Sequence, residues 1–128
     1  MANSRKKNII YVDTTGDITV DAMRPLLFGV LITPTVPAAK SQLVFMTDET
    51  KLPFYPSQTT TVVIKETSSA GTTVFHAILP SYETKFFNFS GYLGGGLELT
   101  ATFNITTLTN ITNVLLYGSW LSPVGKAQ

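Results

Sequence analysis

The chain carries one histidine, His76, in the stretch TVFHAIL, and no cysteine. Histidine serves as a general base or zinc ligand only with partners at set positions. None surrounds His76. Alternation of period two places it on a strand, sharing a face with Val74 and Ile78, so the expectation is a hydrogen-bonded structural histidine. The carboxylates are Asp13, Asp17, Asp21, Asp48, Glu49, Glu66, Glu83 and Glu98. Glycoside hydrolysis needs two of them facing each other at a defined separation. Glu66 and Glu98 are the pair that could meet across a sheet, although each falls at a solvent-facing strand position. Asp13, Asp17 and Asp21 straddle the turn TTG but lack the spacing of a calcium loop, and read as turn and capping residues. The missing cysteines remove thiolate zinc sites, disulfide frameworks and cysteine nucleophiles. No catalytic, cofactor-binding or metal-binding residue is expected, and the chain does not read as an enzyme.

Three consecutive glycines, Gly94, Gly95 and Gly96, stand in FSGYLGGGLELTATF. A phosphate-cradling loop would be followed by Lys-Ser/Thr and a helix. Here Leu97 and a strand follow. The glycines are expected to supply positive φ, or a bulge, before that strand. They also leave a flat stretch of bare backbone that a neighbour could approach.

Composition narrows the function classes. Hydrophobic residues make up 44% of the 128 and charged residues 13%, with a net charge of +1. So few charges suit a protein whose surface is partly covered by neighbours. Binding nucleic acid wants a concentrated basic surface, and the only basic cluster is Arg5-Lys6-Lys7. No nucleic-acid partner is expected. The cluster reads either as a solvated tail or as an arm that docks on an acidic partner. The longest apolar run, Pro25 to Ile32, is far shorter than the ~20 residues that span a bilayer, and no membrane partner is expected.

The elements are strands. In Leu97 to Thr106, Leu97, Leu99, Ala101, Phe103 and Ile105 fall on one face and polar residues on the other, the mark of a half-buried strand. Similar stretches are 8–13, 17–20, 26–33, 42–46, 60–66, 72–79, 84–89 and 113–120. The nearly all-apolar stretch 26–33 is expected to be buried on both faces. Short strands with turns every 8–12 residues indicate a sandwich or barrel. The expected fold is therefore all-β: a single antiparallel β-sandwich, jelly-roll-like, of eight to nine strands with little or no helix. Residues 1–8 form a basic N-terminal arm, 9–122 the sandwich domain and 123–128 a short C-terminal tail.

Aromatic residues are the remaining candidates. Phe54 and Tyr55 lie in a proline-flanked loop. Tyr82, Phe86, Phe87, Phe89 and Tyr92 crowd the region before the glycines. On a strand, Phe86 and Asn88 face one way, and Phe87 and Phe89 the other. Rings on both faces suggest either a core on one side and an intersubunit contact on the other, or a corner strand packed against a loop. The expected protein contacts are Arg5, Lys6, Lys7, Phe54, Tyr55, Tyr82, Phe87, Phe89 and Tyr92.

The succession YVDTTGDI, LLFGVLI, LVFMTD, TTVVIKE, TTVFHAILPS, FFNFSGYLGGGLELTATF and NVLLYG, from Tyr11 to Gly118, resembles small β-sandwich virion proteins of tailed bacteriophages. In these, a segment of the form Phe-x-x-Gly-Leu-x-Val/Leu precedes a closing Val-x-Leu-Tyr strand. Phe86 to Leu99 and Val114 to Gly118 would correspond, with YLGG as an insertion. The resemblance implies a virion component without catalytic residues. It points to a capsid decoration or cement protein on the head exterior, with the phage major capsid protein as partner. It also implies a homo-oligomer, a trimer by analogy. A neck or tail fibre module is the near alternative. A carbohydrate-binding module is the further one, with Tyr55, Tyr82, Tyr92 or Trp120 stacking on sugar.

Overall fold

A computed structural model describes residues 3–37, 40–43, 51–54, 58–92 and 94–121, the backbone alone for 40–43 and 51–54. Among these residues there are twelve strands and no helix. They are β1 (Ser4–Lys6), β2 (Ile9–Val12), β3 (Gly16–Thr19), β4 (Leu26–Pro34), β5 (Lys40–Leu43) and β6 (Lys51–Phe54). They continue with β7 (Thr59–Glu66), β8 (Thr73–Pro80), β9 (Lys85–Asn88), β10 (Leu97–Glu98), β11 (Thr102–Thr109) and β12 (Ile111–Gly118). The β-branched residues that fill these segments favour a pleated surface over a helix.

Two antiparallel sheets pack as a sandwich. The larger runs β1-β2-β12-β4-β10, with β9 also paired to β4, and the smaller runs β3-β11-β7-β8. Among the described residues, strands β5 and β6 pair only with each other. Register decides which side chains enter the core. Val12, Val114 and Ile32 stand abreast in the larger sheet, and Ile10, Leu116, Val30 and Phe87 form the next row. The smaller sheet answers with Phe103, Ile105, Ile64, Phe75, Val62 and Ala77. Burying each of the larger apolar side chains contributes about 1.5–3 kcal/mol.

Three expectations change. The stretch Leu97 to Thr106 is not one strand. Its first two residues, β10, pair with β4, whereas β11 pairs with β3 and β7 in the opposite sheet. Residues 99–101 carry the chain across, and their backbone groups find partners outside the regular ladders. Leu99 N donates to Pro25 O at 2.8 Å, and Ala101 O accepts from Val20 N at 2.9 Å. Leu99, Phe103 and Ile105 are all buried, so the alternation survives the corner and hides it. Second, β4 is not buried on both faces. Val30 and Ile32 are fully buried, but Phe28 is 37% exposed and Leu31 half-buried. The bulge against β12 at Phe28 shifts the register. Third, residues 4–6 do not stand off as an arm. They form β1, with Arg5 opposite Ile10. Asn3 fastens this start, its Oδ1 accepting from Asp13 N at 2.9 Å.

Candidate functional site

The two outer faces of the sandwich differ in chemistry. On the smaller sheet, Asp17, Asn104 and Lys65 stand abreast, then Thr107, Val63 and His76, then Thr109, Thr61 and Ile78. This face is mostly polar and tied together by its own bonds. Asn104 Nδ2 donates to Asp17 Oδ1 and Thr106 Oγ1 donates to Asn104 Oδ1, both at 2.7 Å.

The larger sheet presents rings and aliphatic chains. Tyr11, Leu115, Leu31 and Phe86 are direct neighbours across β2, β12, β4 and β9. Ile9, Tyr117, Gly29 and Asn88 make the adjoining row. Phe86 is 49% exposed and meets Tyr117 edge-on, with ring centroids 6.0 Å apart. Its ring lies over Gly29, where a side chain would collide with it. An apolar row on the outside of a sheet gains nothing from water, and such surfaces mark contact sites.

The expected contact residues fall into three groups. Tyr82 and Tyr92 are about half exposed, as a contact role requires. Phe89 is buried in the core, edge-on to Phe75 at 5.7 Å, and Phe87 packs half-buried on the same ring at 5.4 Å. The β9 pleat therefore turns Phe87 and Phe89 inward and leaves Phe86 outside. Phe86, with Leu31, Leu115 and Tyr117, is the part that sequence reading missed. Its signal was the odd-numbered apolar set in NVLLYG. Lys6 and Lys7 are exposed, while Arg5 is held by Trp120 O at 3.3 Å and Asp21 at 3.6 Å. The backbone of Phe54 lies in β6, and Tyr55 is outside the described residues.

The chemical candidates disperse. His76 is exposed on the smaller sheet's outer face, and among the described residues its imidazole has no hydrogen-bond partner. Asp17 serves Asn104 and Asp21 serves Arg5, so the aspartates hold separate parts of the fold. Glu66 and Glu98 do reach one open cleft, of about 440 Å³, with Met23, Arg24, Leu99 and Thr100. There Arg24 Nη1 lies 3.3 Å from Glu98 Oε2. No group of three metal-ligating side chains occurs among the described residues. Trp120 is 1% exposed and unavailable to stack on a sugar. The glycine run behaves as expected at two positions, with φ of 88° at Gly94 and 87° at Gly95.

Comparison of the chain with protein-family models, with curated proteins and with solved structures gives no match.

Proposed function

We propose that the protein is a structural component of a phage particle, a decoration or cement protein that binds the exterior of the head. The observation that carries the reading is the row Tyr11, Leu115, Leu31 and Phe86 on the outside of the larger sheet. The virion setting comes from the resemblance of the stretch 11–118 to phage sandwich proteins, and the sandwich fold agrees with it. Binding is adhesive. The ring of Phe86 and its neighbours leave water against capsid protein, while Lys6 and Lys7 at the rim meet acidic side chains. Many copies on one lattice need only modest affinity each, because simultaneous contacts add through avidity.

Co-sedimentation with expanded capsids of the matching phage tests this. The wild-type protein should pellet with the capsids at saturable occupancy. Phe86→Ser should weaken binding at least tenfold, about the share of a single hot-spot ring. A folded wild-type protein that stays in the supernatant would refute the reading. Millimolar or tighter binding on a glycan array, lost on changing Tyr82 or Tyr92, would move it to the carbohydrate-binding class.

A further inference from the structure

The sheet edges are guarded unequally. An edge strand offers unpaired amides and carbonyls to any extended chain, and proteins protect such edges with short strands, charge, proline or bulges. Strand β1 has three residues, two of them basic. Strand β3 has four and carries Asp17. Strand β9 has four and begins at Lys85, and β10 has two, ending at Glu98. Strand β8 is different. It runs eight residues, TVFHAILP, without an acidic or basic residue other than His76. Among the described residues it ends the four-strand order and pairs with β7 alone. Pro80 and the bulge at Val74 blunt its two ends, but residues 75–79 remain a regular, β-prone run with no acidic or basic residue other than His76. Such a run is the sequence signature of strand-to-strand association.

We propose that β8 pairs antiparallel with β8 of a second copy about a two-fold axis, joining the two smaller sheets into one continuous sheet. The occupant follows from charge. Lys65 lies beside the Thr73 end of β8, its partner in the β7 ladder. Glu83 lies just beyond the Pro80 end. A two-fold axis sets the Lys65 end of each copy against the Glu83 end of the other. Glu66, on the same side of β7 as core-facing Phe103, lines the cleft instead. The axis also brings Ile78, 64% exposed, toward His76 of the second copy, and no like charges meet. Two-fold pairing departs from the trimer that the resemblance implies, and it stands whether or not the capsid reading does.

Sedimentation equilibrium of the full chain, with hydrogen exchange on the same samples, tests the pairing. The wild type should be a dimer at tens of micromolar, and dilution should speed exchange at β8 amides. The double variant His76→Lys, Ile78→Lys changes only exposed side chains and should fold. It sets like charges across the axis and should weaken dimerisation about tenfold or more. Phe86→Lys, on the opposite sheet, should leave the dimer intact. A wild type that is monomeric at these concentrations overturns the proposal. So does a dimer lost on Phe86→Lys, or one that survives the double lysine variant without protection of β8.

Discussion

The ring of Phe86 rests on the bare backbone of Gly29, one strand away. A Cβ on Gly29 would lie 2.8 Å from Phe86 Cε1 and 3.1 Å from Phe87 O. A glycine normally weakens a strand, because it gives up more freedom on folding and packs nothing. Here the missing side chain is the seat of a ring, which is how an aromatic neighbour compensates a sheet glycine.

Gly29→Ala should therefore push Phe86 off the sheet and break its edge contact with Tyr117. The expected loss is about 1 kcal/mol in urea denaturation, despite the usual gain on replacing a strand glycine. The decisive quantity is the coupling. In a Phe86→Ala background the same substitution should be neutral or stabilising. Additive effects of the two changes would show that ring and glycine are independent.

Trp120 locks the two ends of the chain together. It is 1% exposed, and its Nε1 donates to Asn8 O at 3.1 Å. Its carbonyl accepts from Asp21 N at 3.1 Å and Ala22 N at 3.2 Å. Its ring packs 5.7 Å from that of Phe103. Trp120→Ala should cost about 3–5 kcal/mol. Trp120→Phe should cost less, about 0.5–1.5 kcal/mol, because it removes the indole bond while Asn8 O keeps the Gly118 amide as a donor at 3.0 Å. As the chain's one tryptophan, it should emit at blue-shifted wavelengths when folded and shift red on unfolding. Red emission from the folded protein would contradict the burial.

Most of this architecture was legible from alternation. The stretches that became β7, β8 and β12 could be read because each keeps period two against a buried neighbour, and β4 because its run is nearly all apolar. What alternation cannot show is which sheet a strand joins. Leu99 and Phe103 stay in phase while the chain passes from one sheet to the other, so the corner at residues 99–101 left no trace. Nor can it tell which of two apolar faces looks inward. Phe86 and Phe87 are the same residue type side by side, and only the pairing of Phe87 with core-facing Val30 settles the direction. The strand at residues 4–6 was hidden by its charges, which suit an edge as well as a tail.

Thr60 and Ser81 form a buried polar pair, both 0% exposed, with hydroxyl oxygens 2.7 Å apart. Thr60 Oγ1 also donates to Asn110 O at 2.9 Å. A hydroxyl has one proton, so Ser81 is the donor within the pair. The two substitutions should then differ. Thr60→Val leaves Ser81 with a buried donor and no acceptor, and should cost about 1–3 kcal/mol. Ser81→Ala removes one bond while Thr60 keeps its own, and should cost nearer 1 kcal/mol. Equal losses in thermal or urea unfolding would reverse or erase the assigned direction.

Lys7 separates stability from binding at the basic end of the molecule. It sits in the two-residue turn between β1 and β2, with φ of 55°, a region that glycine favours. A left-handed conformation costs a non-glycine residue roughly 1–2 kcal/mol, and glycine's greater freedom when unfolded takes back about 0.5–1. Lys7→Gly should thus raise stability by about 0.5 kcal/mol, read as a higher urea midpoint at unchanged slope. Arg5→Ala should do the opposite, since it releases Trp120 O and Asp21. If the basic rim meets an acidic capsid surface, Lys7→Gly should bind capsids more weakly than wild type and lose part of the salt dependence of binding. A variant that is more stable yet binds with unchanged affinity and salt response would remove Lys7 from the contact.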